Sequence, residues 1–92
     1  MDPESRRALY FMGAAQYKLG NLDDAAETLA KAIGEPHPYQ EARLMLVNVF
    51  MKQHRYREAL DQLNDYLAAN PNTSQLTAVQ QVQTLIRTAL NR

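Results

Sequence analysis

The chain has 92 residues, of which 46% are hydrophobic and 22% charged, and its ten Lys and Arg residues balance ten Asp and Glu residues. This length and composition predict one globular domain, and a formal net charge of zero argues against general attraction to nucleic acid or to an anionic membrane. The absence of cysteine excludes disulfides and thiolate sites, and no apolar run approaches the roughly 20 residues that cross a bilayer, so we expect no membrane insertion.

Helical spacing of apolar residues occurs five times along the chain, and no stretch sustains the alternation typical of a strand. The predicted helices span about residues 3–19, 22–33, 39–53, 56–69 and 75–91. Gly20 and Gly34 are suited to end the first two helices. Connections of two to six residues make neighbouring helices antiparallel. The sequence therefore predicts an all-α fold of two helical hairpins and a terminal helix.

The two hairpins are copies of one pattern. Residues 20–33, GNLDDAAETLAKAI, align with residues 54–67, HRYREALDQLNDYL. Ala25 then falls on Ala59, and the difference between their numbers defines the repeat period (59 − 25 = 34). A fixed period of this length indicates stacked helical repeats.

These copies resemble the tetratricopeptide repeat, whose 34-residue pattern is W-x-x-L-G-x-x-Y, then A-x-x-x-F, then P. The matching positions of the first copy hold Leu9, Met12, Gly13, Gln16, Ala25, Leu29 and Ala32. Those of the second copy hold Arg43, Leu46, Val47, Phe50, Ala59, Leu63 and Pro71. The resemblance implies one all-α domain over residues 1–92, an α-α superhelix with repeat one at 6–39, repeat two at 40–73 and a capping helix at 74–92.

Small residues predict where the helices approach closely. We expect Gly13 and Ala25 to bring the two helices of the first hairpin together, and Ala32 to admit the next hairpin. In the second copy Val47 replaces the glycine and Tyr66 replaces the late alanine. These two larger residues predict a different local geometry in the second repeat.

The third predicted helix contains RLMLVNVFMK, residues 43–52, which is apolar nearly all the way round. A surface helix of a small domain normally has one apolar stripe and a polar back. A helix packed between its own hairpin partner and the preceding hairpin has two buried sides. Leu44 and Met51 are apolar residues of this helix that neither of these two contacts requires.

In the tetratricopeptide family, the first helix of each hairpin lines a concave groove that receives peptides. Matching by residue places Arg7, Tyr10, Ala14, Tyr17 and Lys18 of the first copy, and Glu41, Leu44, Asn48, Met51 and Lys52 of the second, on this surface. We expect Lys18 and Lys52 to meet carboxylates at the rim and Asn48 to hydrogen-bond a peptide backbone. The resemblance implies a non-catalytic scaffold whose partner is a protein or peptide.

Two alternatives remain open for this apolar surface. The fifth helix, or the apolar residues themselves, can fill it as ordinary core. It can also mediate self-association into a homo-oligomer or a longer repeat scaffold, as can the open face of the first hairpin. A clamp for chaperone carboxylates is disfavoured, because that subclass needs Lys and Asn one turn apart, where this chain has Tyr10 with Ala14 and Leu44 with Asn48.

Candidate residues for catalysis, cofactors or metal are lacking. His37 and His54 lie in separate predicted loops, without a partner at metal-ligand spacing.

The fifth helix has an apolar side and a polar remainder, as a terminal cap requires. Its apolar residues are offset by one position from those that a third repeat would have. Its apolar side is predicted to comprise Leu76, Val79, Val82, Leu85, Ile86 and Leu90.

Overall fold

A computed structural model describes residues 3–34 and 40–91, with side chains described from residue 6 onwards. These residues form five helices and no strand, which confirms the predicted fold class. The helices are α1 (Pro3–Lys18), α2 (Leu22–Ile33), α3 (Gln40–Lys52), α4 (Tyr56–Ala69) and α5 (Leu76–Leu90). Each helix end that lies between described residues is within one residue of its predicted position. Residues 35–39, which include His37 and the predicted start of the third helix at Tyr39, lie outside the described residues.

The helices pack in the order in which they follow one another along the chain. Helix α1 packs on α2, α2 on α3, α3 on α4 and α4 on α5, and α1 also contacts α3. The resulting slab measures 38 × 31 × 18 Å, and its short dimension suits two layers of helices. Among the described residues, no helix is long and apolar enough to cross a membrane.

The turns that close the two hairpins have the same backbone hydrogen bonds, shifted by one repeat period. After α1, Asn21 N donates to Gln16 O at 2.9 Å, and Gly20 N donates to Tyr17 O at 3.0 Å. After α3, the corresponding bonds come from Arg55 and His54, at 2.8 and 3.1 Å. This is the Schellman motif, which needs a left-handed residue after the helix. Gly20 supplies it with φ of 83°, whereas His54 adopts φ of 60°.

We expect His54→Gly to raise the free energy of unfolding by about 0.5–1 kcal/mol, because glycine adopts positive φ without the steric cost of a Cβ. The change also removes the 2.8 Å hydrogen bond between His54 Nδ1 and Tyr56 Oη, which is exposed. Urea unfolding followed by circular dichroism measures the difference. Tyr56→Phe reports the hydrogen bond alone, and Gly20→His should lower stability. A destabilised His54→Gly protein would contradict the expectation.

The first hairpin is tightly packed at Gly13, as its small residue predicts. A Cβ at this position would lie 2.6 Å from Leu29 Cγ and 2.7 Å from Leu29 Cδ2. Leu29 is fully buried, so a Cβ at position 13 would require this core side chain to repack. In the second hairpin the corresponding residues, Val47 and Leu63, are both buried at 2% exposure. Helices α3 and α4 therefore accommodate a valine side chain at the position where α1 and α2 leave room only for glycine.

Tyr66 provides the different local geometry expected in the second repeat. Ala32, its counterpart, is fully buried, and Tyr66 is 7% exposed. The Tyr66 hydroxyl lies 3.1 Å from Thr73 Oγ1 in the turn before α5. The same Thr73 oxygen accepts a hydrogen bond from Gln75 N at 3.2 Å, next to the start of α5. Tyr66 thus connects the body of α4 to the turn that positions α5.

Helix α3 is the most extensively buried helix of the described chain. Its buried residues are Ala42, Leu46, Val47, Val49 and Phe50, while Leu44 and Met51 are half-buried. Arg43, at the position of the family's tryptophan, extends to α4 and pairs with Asp65 at 3.3 Å. Its side chain is only 12% exposed. An ion pair thus joins α3 to α4 at this position.

One prediction for α5 is wrong. Val79 and Ile86 are buried and Leu76, Val82 and Leu90 are half-buried, but Leu85 is 63% exposed. Leu85 precedes Ile86 by one residue and therefore lies about 100° away around the helix. The buried side of α5 is narrower than its apolar composition predicted.

Candidate functional site

The ten residues predicted to lie on the groove surface are on two neighbouring helices, and eight of them form the predicted binding site, without the exposed Arg7 and Glu41. Tyr10, Ala14, Tyr17 and Lys18 are on α1, and Leu44, Asn48, Met51 and Lys52 are on α3. Lys18, Asn48 and Lys52 are exposed, and the other five are half-buried. None of the eight is fully covered by the rest of the described chain. We call these residues the concave stripe.

The two halves of the concave stripe meet at the carboxyl ends of α1 and α3. Lys52 Nζ lies 5.8 Å from the centre of the Tyr17 ring. This cation–π contact orients the ammonium group at the rim while leaving Lys52 exposed. Lys18 is exposed on α1 and directly follows Tyr17 in the sequence, so the rim at this end is basic.

A cleft opens next to the concave stripe, between α3, α4 and α5. Its volume is about 160 Å³. The lining residues are Leu44, Val47, Asn48, Leu63, Gln75, Ala78, Val79 and Val82. Val47, Leu63 and Val79 are buried, so they form the floor of the cleft. Leu44 and Asn48 belong also to the concave stripe, and the cleft is therefore continuous with it.

The cleft arises where the second repeat departs from the first. Its floor includes Val47 and Leu63, the pair that corresponds to the tightly packed Gly13 and Leu29. In addition, α5 does not repeat the register of α3. The buried Val79 follows the buried Leu46 at one position less than a full repeat period (79 − 46 = 33).

Sequence reasoning treated α5 as a cap that can also fill the apolar surface, but it did not identify the α5 residues that line the cleft. A signal for two of them was present in the sequence. Ala78 and Val82 follow Leu44 and Asn48 by one repeat period, so the concave stripe continues onto α5 (78 − 44 = 34). Gln75 lies just before α5 and is not part of that stripe.

The chemistry of the cleft is apolar with amides at its edge. Six of its lining side chains are aliphatic, and the two polar ones are Asn48 and Gln75, both exposed. An amide side chain offers both donors and an acceptor, which a peptide backbone can use. None of the lining residues, all within the described part of the chain, is charged. Such a recess is suited to an apolar side chain of a peptide whose polar backbone lies next to it.

Arg55, in the turn after α3, is paired with a carboxylate at the start of α4. Arg55 hydrogen-bonds Glu58 through its guanidinium, which raises the pKa of Arg55, and lies 4.7 Å from the Phe50 ring. Among the described residues, no three His, Cys, Asp or Glu side chains are close enough to hold a metal ion.

Comparison with known proteins agrees with this geometry. A family model described as tetratricopeptide repeat matches residues 1–41 and 44–77, which cover both hairpins and the first residues of α5. No curated protein and no solved structure matched the chain. Domains of the matched family generally mediate protein–protein interactions and are typically non-catalytic scaffolds. With this match over most of its length, the chain belongs to the tetratricopeptide repeat family.

Proposed function

We propose that the concave stripe and the adjoining cleft bind a peptide or partner helix of another protein. The observation that carries the proposal is the continuity between the two: Leu44 and Asn48 belong to both. A ligand lying along the stripe therefore places one side chain over the apolar recess beside α5.

The size and lining of the cleft support an aliphatic or aromatic side chain as its occupant. Its volume of about 160 Å³ is close to the roughly 150 Å³ of an apolar cavity that takes up benzene. Burying a Leu or Phe side chain contributes about 1.5–3 kcal/mol. Asn48 and Gln75 then hydrogen-bond the backbone on either side, and Lys18 and Lys52 attract acidic residues of the ligand.

The second candidate function is self-association through the same surface. It is favoured by the partial exposure of Tyr10, Tyr17, Leu44 and Met51, which are half-buried although they pack against the core. Light scattering on a sizing column, over a concentration series, separates the two functions. A native dimer that Leu44→Glu/Met51→Glu converts into a folded monomer would support self-association. It would also show that a second copy, and not a peptide, occupies the groove of the native protein.

The peptide-binding function is tested by panning a random peptide library on the native protein. We expect the selected peptides to carry a Leu, Ile, Met or Phe anchor, and Leu44→Glu/Met51→Glu to weaken their binding at least tenfold, because burying the anchor against a charge is unfavourable. Fluorescence polarisation measures the affinities.

Leu85→Glu is the matched control, since Leu85 is 63% exposed on α5 and does not line the cleft. It should bind the selected peptides as the native protein does. Circular dichroism verifies that all variants remain helical. Peptides that bind the double variant undiminished would show that the binding surface lies elsewhere. Unfolding of the double variant would instead assign Leu44 and Met51 to the core.

A further inference from the structure

Lys52 differs from Lys18, its counterpart on α1, because an aromatic ring holds its side chain. The Lys52 ammonium nitrogen lies 5.8 Å from the centre of the Tyr17 ring, which belongs to α1. Within the described chain, Lys18 has no ring contact, and neither lysine forms an ion pair. A lysine that is already held loses less conformational freedom when it binds a ligand. Of the two lysines, Lys52 is therefore the one that is preorganised for a carboxylate.

The acidic residues next to this end of α3 leave the Lys52 ammonium available. They are Asp23 and Asp24, in the first turn of α2, and Glu58, in the first turn of α4. Asp23 is hydrogen-bonded at 2.7 Å to the glutamine that follows Lys52, and Glu58 is paired with Arg55. None of the three acidic residues forms an ion pair with Lys52.

The amino ends of α1 and α3, at the other end of the concave stripe, carry charges of both signs. Asp2 and Glu4 precede Arg6 and Arg7 along the chain, and Glu41 is exposed in the first turn of α3. Opposite charges that lie close together largely cancel their attraction for a charged ligand. An acidic residue of the ligand is therefore stabilised at the carboxyl end of the stripe rather than at this end.

The amides at the edge of the cleft favour a ligand with an extended backbone. Asn48 and Gln75 are exposed there, and each offers donors and an acceptor. In the middle of a helix the backbone N–H and C=O groups are already paired with one another. Those of an extended segment still need partners. An extended segment can therefore use both amides, and a helix cannot.

The positions of the cleft and of Lys52 determine how far apart two groups of such a ligand lie. The cleft is between α3 and α5, whereas the Lys52 ammonium is on the side of α3 toward α1. The lateral separation is about one helix spacing, roughly 8–10 Å. Lys52 follows Asn48 by four residues (52 − 48 = 4) and Leu44 by eight (52 − 44 = 8), which adds about 6–12 Å along α3. The two places are thus about 10–16 Å apart, which an extended chain spans in about three to five residues.

We propose that the groove binds an extended acidic segment of a partner protein. An apolar side chain of the segment lies in the cleft, and an Asp or Glu about three to five residues away binds Lys52. Tyr17 is a positioning residue, because its ring holds the ammonium group that meets the carboxylate. The ligand is that of the proposed function, on which this proposal rests, and it crosses α3 from α5 toward α1.

The spacing is tested by panning a peptide library on the native protein. Each peptide has one fixed leucine at its centre and enough random positions on both sides to cover extended and helical spacings. We expect Asp and Glu to be enriched about three to five positions from the leucine, on one side only. Enrichment at about seven or more positions, the spacing for a helix with a rise of about 1.5 Å per residue, would overturn the proposal, as would enrichment at no particular position.

The roles of Lys52 and Tyr17 are tested with one selected peptide and its copy in which the acidic residue is changed to the amide. Fluorescence polarisation at low salt should show about three- to fivefold tighter binding of the acidic peptide, near the upper end of the range for an exposed ion pair. Lys52→Gln should abolish this preference, and Tyr17→Leu should reduce it below about twofold. Tyr17→Phe keeps the ring and should retain it. The ratio of the two affinities is the readout, because lost packing at Tyr17 weakens both peptides alike.

Arg57→Gln is the matched control, since Arg57 is an exposed basic residue of α4 outside the concave stripe. It removes the same charge as Lys52→Gln and should keep the native preference. Loss of the preference in Arg57→Gln as well would indicate a general attraction and overturn the proposal. A preference that Lys52→Gln or Tyr17→Leu leaves unchanged would also overturn it. Lys52 is exposed, so Lys52→Gln remains informative if circular dichroism shows that Tyr17→Leu loses helicity.

Failure of this proposal is distinguishable from failure of the proposed function. If peptides bind through their leucine, with Leu44→Glu/Met51→Glu weakening them, but without an acidic preference, the groove binds peptides and only the role of Lys52 is wrong. If no peptide binds the native protein, both proposals are wrong.

Discussion

Replacing Tyr66 with alanine is expected to lower the free energy of unfolding by about 3–5 kcal/mol, the range for removing a buried aromatic side chain. Tyr66 is 7% exposed and its hydroxyl reaches Thr73 in the turn before α5. Alanine leaves a cavity in the second repeat and detaches that turn from α4. Since small domains have about 5–15 kcal/mol of stability in total, the loss is large. Urea unfolding followed by circular dichroism measures it.

Tyr66→Phe separates the two contributions, because it keeps the ring and removes only the hydroxyl. We expect it to cost about 0.5–1.5 kcal/mol, the usual contribution of one hydrogen bond. Both backbone and side-chain nitrogens of Asn70 also donate to Tyr66 O, and neither variant removes that acceptor. A cost of under about 1 kcal/mol for Tyr66→Ala would contradict the view that this ring supports the attachment of α5.

Gly13→Val is expected to destabilise the protein by about 3 kcal/mol, at the upper end of the range for overpacking a core, although valine itself favours a helix more than glycine does. Even the Cβ of alanine would lie 2.6 Å from Leu29 Cγ. Valine adds two methyl groups to that Cβ. The same residue is accommodated as Val47 in the second hairpin, so the cost originates from the spacing of α1 and α2. Urea unfolding of native and variant protein gives the value.

A double-mutant cycle identifies Leu29 as the cause. Leu29→Ala alone should cost about 2–5 kcal/mol, and in its background Gly13→Ala should cost at least about 1 kcal/mol less than in the native protein. Ala15→Gly is the control, at an exposed position of the same helix, where glycine should cost about 1 kcal/mol with or without Leu29. Additive effects of Gly13→Ala and Leu29→Ala would show that the two positions do not interact.

The helices and their pairing were predictable because they depend on local signals. Apolar spacing, glycine at the first helix ends and short connections place the helix ends that lie between described residues to within one residue. The recurrence of one pattern at a fixed period identifies the repeat. Gly13 also indicates a close approach correctly, since only the loss of a side chain allows it. These features are encoded within a hairpin and need no knowledge of how hairpins are oriented.

The cleft and the exposure of Met12 depend on how the helical hairpins are oriented relative to one another, and they were not predictable in the same way. Met12 fits the family pattern as well as Leu46 does, yet Met12 is 49% exposed and Leu46 is 2% exposed. Leu46 is buried because α2 packs beside α3, whereas no described helix packs on Met12 in the same way. The residues near Met12 do not indicate this difference in exposure. Likewise, the cleft depends on how α5 packs on α4, next to the turn that Tyr66 contacts through Thr73. The assignment of Leu85 to the buried side was wrong for the same reason.

The sequential packing of the helices has a consequence for how the domain opens. Contacts join each helix to the next, and α1 to α3, so few of them link distant parts of the chain. Helix α5 can therefore separate from α4 without disturbing the first hairpin, whereas α3 can leave only if both hairpins come apart. Unfolding in such a nearly one-dimensional array starts from its ends. Because the cleft is formed partly by α5, fraying of this last helix would abolish the cleft while most of the concave stripe remained folded, and a ligand held by both would oppose that fraying.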